Sequence, residues 1–489
     1  MIFFRFFMIF AVLVNHFILV NSLHPLKNPF CILQKLNPIK RLNTIKNKQI
    51  KENLISPPTT FPVTGFYGLI GPNIDHKKVE SLYDLFIGDG IIQGVFLENG
   101  TATFTQTLIN TEKLKFEKTF GKPLINNSLI TGVQIMMNAL RLIPNLLGVS
   151  NTAFLQVHNK TYTLFERDMP YEIQIDPYKK HIETIGKKEI PFLKTFSGHS
   201  KMIDGYIETI EYDILKNDVI WYKLDTEFKK INEYRIPMVY IPLIHDFYSD
   251  ENYILLINSP LKMDWSNILN KKIPIYFDES APTFIYLIHK KKGKIETYKV
   301  DKSFYVFHYT DIEITDGEIN ILTPFYDRIN YNEVLHNGKY RRLRINRSSG
   351  ESLFFRYLDL EPLNLDFPVP IVSNNPIKHR NYILRSIENG RINGFYILEK
   401  TDIVKKIVFE DYFICGEPGV FYLDNSDNDN KQPILTCFGI NELSKTQYFI
   451  MVNLETDERI EYPISHPLFI GFHSIVLHLL TFQSPIYIS

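Results

Sequence analysis

Four of the fourteen histidines in this 489-residue chain sit in segments of one kind. They are Ser197-Gly198-His199-Ser200-Lys201, Leu243-Ile244-His245-Asp246-Phe247, Val306-Phe307-His308-Tyr309 and Gly471-Phe472-His473-Ser474. The His245 segment reads as a loop leading into a strand, with Pro242 ahead of it and β-branched and aromatic residues on both sides. Taken singly, a His-Asp pair in a loop is more often a hydrogen-bonded turn than a metal ligand. Four such imidazoles brought together could bind zinc, copper, iron or nickel, because ligand type alone does not choose among these metals. If the geometry is octahedral, four protein ligands leave two positions open, as dioxygen activation or a metal-bound water requires. Neutral rings add no charge, so a dication held by them needs carboxylates behind, each accepting a ring's second N–H.

The elements that must position these residues read as strands. Short runs of strand character recur past about Phe61: Tyr206–Ile210, Val219–Leu224, Pro237–Leu243, Tyr253–Ile257, Thr283–His289, Phe304–His308, Leu353–Leu358, Phe395–Leu398, Gly419–Leu423 and Gln447–Val452. Turn signals such as Asn99-Gly100, Asp316-Gly317 and Asn389-Gly390 separate them. Helical periodicity is scarce, so the fold class is all-β. A sharp repeat is missing, which argues against WD40-like arrays but leaves a divergent propeller open. In a propeller the first two gaps between the four histidines are each about one blade long, and the third spans several. If each histidine ends an innermost strand, all four can converge on the axis. Spacing alone does not select them: His289 ends an equally good strand before Lys290-Lys291-Lys292-Gly293, and is assigned to a hairpin without a metal role.

The four segments together resemble the carotenoid oxygenase family, which includes the retinoid isomerase of the eye. In that family one histidine from each segment holds a single ferrous iron, which assigns His199, His245, His308 and His473 as ligands of Fe2+. The resemblance extends to the three carboxylates that orient the rings, normally glutamates. Thr163-Leu164-Phe165-Glu166 makes Glu166 the first, and Gly416-Glu417-Pro418 makes Glu417 the last. The middle one falls on Asp366 in Leu365-Asp366-Phe367-Pro368, where glutamate is usual. Aspartate is one methylene shorter, so a bridging water is expected between Asp366 and its imidazole. Ile87-Gly88-Asp89-Gly90 with Glu98-Asn99-Gly100 resembles the family's Gly-Asp-Gly hairpin, and Gln93 stands where a histidine is usual. Asn151-Thr152-Ala153 resembles the segment leading toward Glu166. Around His308 the sequence departs, with Tyr309-Thr310-Asp311-Ile312 in place of the usual Phe-Val-Asn-Ala.

The resemblance implies a seven-bladed β-propeller with an axial metal site and a small helical cap, spanning residues 61–489 as one catalytic domain. It implies oxidative cleavage of a C=C bond in a carotenoid or apocarotenoid, with O2 as co-substrate and two carbonyl products. No protein nucleophile, general acid or general base is required. A retinoid isomerohydrolase or a stilbene-cleaving enzyme is the alternative within the same fold. A secreted propeller acting as a non-catalytic binding module is the alternative from another class, although an intact set of four histidines argues against a decayed site.

Composition bounds the remaining possibilities. With 54 basic and 54 acidic residues, nothing suggests nucleic acid as a partner. Three cysteines, Cys31, Cys415 and Cys437, are too few and too scattered for a disulfide framework or a thiolate zinc site. Residues 1–22 read as a signal peptide, apolar around Arg5 with small polar residues at Asn21-Ser22. The segment 23–60 opens with a basic, acid-free stretch. It reads as a transit peptide for a plastid reached through the secretory pathway, or equally as a basic leader. One clear helical pattern, residues 129–149, confines Gln134, Asn138, Arg141 and Asn145 to a stripe on an otherwise apolar surface. It is expected to contact a membrane peripherally, or to pack into a core.

Overall fold

Some mid-sheet strands, such as Tyr253–Asn258 and Thr283–His289, are apolar at consecutive positions, and the reason lies in how the sheets face one another. A computed structural model describes residues 49–75, 79–98, 100–120, 148–213, 216–264, 275–334, 336–371, 381–388, 390–423 and 432–478. Within them, seven antiparallel sheets of four or five strands follow one another along the chain, with one further two-stranded hairpin, Leu261–Met263 with Ile275–Phe277. In Tyr253–Asn258, Leu255 and Ile257 pack toward the next sheet while Ile254 and Leu256 pack toward the previous one. Both faces are covered, so the run Ile254-Leu255-Leu256-Ile257 must be apolar throughout rather than alternating.

The sheets are the blades of a propeller. The first blade orders Ile50–Asn53, Thr101–Leu108, Gly90–Glu98 and Gly65–Pro72 from the outside in, and the C-terminal Ser474–His478 completes its inner edge. Blades two to six begin with Ala153–Val157, Lys201–Ile203, Tyr248–Ser249, Asp311–Ile314 and Leu365–Ile371. The seventh begins with Tyr412–Ile414 and Gly419–Leu423, both paired to Gln432–Asn441. A separate hydrophobic cluster joins every consecutive pair of blades, including the seventh to the first through Phe421, Phe438, Tyr67 and Phe104. The ring is therefore closed twice, by packing and by the ladder of Gly65–Leu69 with Ser474–His478.

The first blade also corrects the leader boundary at residue 60. Ile50–Asn53 pairs with Thr103–Gln106 as that blade's outermost strand, so the propeller starts inside the segment assigned to the leader. A four-residue strand with no apolar alternation carries too little pattern to be read from sequence. Two expected strands are likewise not ladders. The strand before His245 stops at Pro237, and Phe304–His308 contributes only an isolated bridge at Tyr305. Their apolar residues Ile241, Leu243, Tyr305 and Phe307 instead pack with the strand residues Leu261, Phe277 and Tyr326 in one cluster.

Two helices are described. Leu82–Ile87 starts at a reciprocal cap, in which the Asp84 N–H donates to Ser81 Oγ and the Ser81 N–H donates to Asp84. Asn151 holds the other end, donating to the carbonyls of Leu85 and Gly88 at 3.1 and 2.9 Å. Glu112–Phe120 is anchored by Lys113, buried between Asp89 and Glu117 at 2.7 and 3.0 Å. The helical pattern at 129–149 lies outside the described residues except for Gly148 and Val149. Val149 is buried, and its carbonyl accepts from the Gly90 N–H. No helix among the described residues is long and apolar enough to cross a membrane.

Candidate metal centre

Each blade sends one of the seven residues singled out from the sequence toward a common centre. His473, His199, His245 and His308 each lie one to three residues ahead of the innermost strand of blades one, three, four and five. They precede those strands rather than ending them. Asp366 opens the innermost strand of blade six, and Glu417 lies just before Gly419–Leu423 in blade seven. Glu166 follows the second strand of blade two. An antiparallel blade brings the start of its first strand and the end of its second to the same rim, so all seven share one end of the axis.

Local bonding fixes each loop. The His199 N–H donates to Ser197 Oγ at 3.1 Å, and Ser200 Oγ donates to the Ser197 carbonyl at 3.0 Å. Asp246, next to His245, takes a 2.7 Å ion pair from Lys201, two residues beyond His199, and so ties the two loops together. Thr323 donates to the His308 carbonyl at 2.6 Å. The backbone of Ile70 pairs with Phe472 and His473 at 2.7 and 3.0 Å. Gln93 grips the same segment, donating to the Phe469 carbonyl at 2.9 Å and accepting from its N–H at 2.8 Å.

The four imidazoles converge, with one ring nitrogen of each inside a 4.8 Å cluster. Nε2 of His199 and of His245 are 3.0 Å apart. Ring centroids lie 4.6 Å apart for His199 and His473, and 4.9 Å for His308 and His473. Carboxylates hold three rings from behind at Nδ1: Glu166 on His245, Asp366 on His308 at 2.8 Å, and Glu417 on His473 at 3.1 Å. Nδ1–H given to a carboxylate leaves Nε2 as the lone-pair donor, which fixes the tautomer a metal needs. No carboxylate lies within ion-pair distance of His199 among the described residues.

Asp366 reaches His308 directly, so no bridging water is needed and that expectation is corrected. The backbone makes up the missing methylene. The ladder between Leu365–Ile371 and Asn381–Glu388 shifts register after Asp366, and Phe367 takes the left-handed conformation at φ 57°. Asp366 Oδ1 also accepts from the Phe367 N–H at 2.8 Å, and Oδ2 accepts from the Tyr326 hydroxyl.

The electrostatics favour the neutral ring at His199 and His308 and the protonated ring at His245. Burial, with the neighbouring imidazoles, pushes His199 well below the usual histidine range. Burial also lowers His308, and Asp366 offsets this only in part. Burial acts downward on His245 too, but the charge and hydrogen bond of Glu166 outweigh it and the pKa is raised. The donor set fits a first-row divalent ion, and one observation points to it directly. Nε2 of His308 is buried with no hydrogen-bond partner, a costly arrangement unless something accepts its lone pair. Aromatic rings border the imidazoles: Phe307 stands 5.3 Å from His245, Phe86 6.4 Å from His245, and Phe367 4.7 Å from His308. His289 lies away from the cluster, at a hairpin, against Tyr253 at 4.4 Å.

Sequence reasoning missed the Lys201–Asp246 tie, the aromatic border and Arg385, whose guanidinium stacks on Phe367. A charge within the apolar run Tyr382-Ile383-Leu384-Arg385 is the signal that could have drawn attention to the last.

The described residues thus form a closed seven-bladed propeller that gathers four imidazoles and three supporting carboxylates at one end of its axis, a donor set able to hold a metal ion. The profile of the family described as retinal pigment epithelial membrane protein matches residues 58–475, and the chain belongs to that family, the carotenoid oxygenases. A rice protein, the chloroplastic 9-cis-epoxycarotenoid dioxygenase NCED2 of Oryza sativa subsp. japonica, is 22% identical over 84% of this chain and 78% of its own. The carotenoid 9,10(9',10')-cleavage dioxygenase 1 of Arabidopsis thaliana is 24% identical over 55% of this chain, a match that spans only 54% of that protein. Among solved structures, the Pseudomonas brassicacearum lignostilbene dioxygenase superposes with a TM-score of 0.73 at 15% identity, covering 89% of this chain and 96% of that one. A variant of the Synechocystis apocarotenoid oxygenase superposes at 0.71 and 14% identity, over 89% and 97%. At such identities the superpositions bear on the fold.

Proposed function

We propose that this chain is a non-haem iron dioxygenase that cleaves a C=C bond of a carotenoid or apocarotenoid with O2, giving two carbonyl products. The observation that carries the reading is the convergence of four imidazoles with an orphaned, buried Nε2 among them. His199, His245, His308 and His473 would hold the ion, and a ferrous ion there supplies the electrons that O2 needs to react with a polyene. Glu166, Asp366 and Glu417 keep their rings in one tautomer and offset charge. Phe86, Phe307 and Phe367 present apolar surface beside the imidazoles, suited to a lipophilic substrate and to excluding water. A stilbene double bond is the second reading, favoured by a lignostilbene-α,β-dioxygenase isozyme III from Sphingomonas paucimobilis that is 24% identical over 49% of this chain.

The test is iron content together with product masses. The protein purified without oxygen is expected to carry one ferrous ion per chain and to yield paired aldehydes or ketones from at least one member of a carotenoid, apocarotenoid and stilbene panel. His199→Ala, His245→Ala, His308→Ala and His473→Ala should each abolish stable iron binding. Full iron occupancy in two of these variants would end the assignment.

A further inference from the structure

One buried cation beside the imidazoles has no role in the centre described so far. Arg385 lies in Asn381–Glu388, directly across the ladder from Asp366, and is only 8% exposed. Its Nε is buried without a hydrogen-bond partner. Its guanidinium carbon stands 3.7 Å from the centroid of the Phe367 ring, whose other neighbours are His308 at 4.7 Å and His473 at 5.1 Å. The acidic groups it faces are Asp366 and Glu417, which brace those same two histidines.

Burying a guanidinium with an unmade hydrogen bond is costly, and an apolar side chain of similar volume would fill the space at less cost. Charge balance supplies a reason to keep it. Glu166, Asp366 and Glu417 contribute three negative charges, the imidazoles none, and the Lys201–Asp246 pair cancels itself. A divalent ion would leave one negative charge, which Arg385 neutralises. A trivalent ion would leave the cluster one positive charge in excess. In surroundings of low dielectric that excess is strongly disfavoured.

Resting on the iron reading above, we propose that Arg385 is a built-in countercharge that favours the ferrous over the ferric ion in the four-histidine centre. It acts across the face of Phe367, touching neither metal nor substrate. The couple is a plain electron transfer, in which the ferric ion takes one electron to become ferrous, with no proton moved and no ligand exchanged. A fixed positive charge opposes both ions, but the trivalent one more.

The experiment compares the iron-loaded parent with Arg385→Met and Arg385→Gln, two neutral side chains of similar length, and with Arg385→Lys. Mediated redox titration is expected to give a more negative midpoint potential in both neutral variants and a smaller change, or none, in Arg385→Lys. Zinc competition should show the neutral variants binding the divalent ion about tenfold tighter, as loss of a nearby like charge requires. An unchanged or more positive potential in an iron-loaded neutral variant overturns the proposal. So does failure of both neutral variants to fold while Arg385→Lys folds, because the charge would then serve the fold. If the parent takes up no iron at all, the iron reading itself has failed, which this design separates from failure of the Arg385 assignment alone.

Discussion

At the scale of single residues, Asp366 shows how a shorter side chain is accommodated and what restoring length would do. The residue is 6% exposed, and its carboxylate accepts from His308, the Phe367 N–H and Tyr326. The bonds to His308, the N–H and burial together set its pKa: desolvation pushes upward, but His308 and the hydrogen bonds outweigh it and the group is held below the usual range. That geometry depends on Phe367 at φ 57°, a conformation that costs a bulky residue about 1–3 kcal/mol. A glutamate would add a methylene where the backbone has already closed the gap, and overpacking of this kind costs about 1–3 kcal/mol. Asp366→Glu is therefore expected to weaken iron retention, by roughly 10- to 100-fold if the bond to His308 is lost. Iron remaining after dialysis against a graded chelator measures this. Retention equal to the parent's would mean that the bulge is not what fits aspartate to the site.

At the scale of elements, glycines decide how closely the segments carrying His473 and Glu417 approach. A Cβ on Gly416 would stand 2.7 Å from the Gly471 carbonyl oxygen, and one on Gly471 would stand 2.4 Å from Leu69 Cγ. These contacts press Cys415–Glu417 and Gly471–His473 together beside Gly65–Pro72, where the Gly471 N–H donates to the Cys415 carbonyl. Gly416→Ala must push backbone against backbone and should lower stability by about 1–3 kcal/mol with a parallel loss of iron, read by denaturant unfolding and metal analysis. A variant with parental iron content and stability would show that the close approach is dispensable. The same elements explain what the sequence disclosed. Gly416-Glu417 and Gly471-Phe472-His473 were legible because the chemistry and the close approach fall within a few residues. Asn151 was legible as part of a motif, although its role at the end of Leu82–Ile87 was not. Pro237–Leu243 and Phe304–His308 were misread because periodicity reports burial, and here the burial is against the cluster of Ile241, Phe277 and Tyr326 rather than in a ladder. Ile50–Asn53 and Arg385 escaped because each takes its meaning from partners far along the chain, Thr103–Gln106 and Asp366 with Phe367.

At the scale of the whole molecule, the centre couples all seven blades, so its protonation should be felt in global stability. Metal-free, the ring holds His199 and His308 with lowered pKa values and His245 with a raised one. The unfolded chain titrates these groups near the ordinary histidine value of about 6.5. Below that pH the unfolded state takes up protons that folded His199 and His308 refuse, so stability is present above about 6.5 and is lost as pH falls toward their folded values. Each such group contributes a slope of up to about 1.4 kcal/mol per pH unit. His245 has the opposite sign: its contribution is complete below about 6.5 and is lost as pH rises through its raised folded value. The metal-free protein should consequently show a stability contribution from this cluster that peaks near pH 6.5. Bound metal requires all four rings neutral, so the loaded protein should lose its extra stability on the acid side as protons compete for nitrogen. At free metal 100 times the dissociation constant that extra stability is about 2.7 kcal/mol. Urea unfolding of chelator-treated and iron-loaded protein between pH 5 and 8 tests both halves. A metal-free profile that keeps rising from pH 6.5 to 8 would remove the bond between Glu166 and His245 as a stabilising contact, whereas two profiles that coincide throughout would remove the metal centre as the tie between blades.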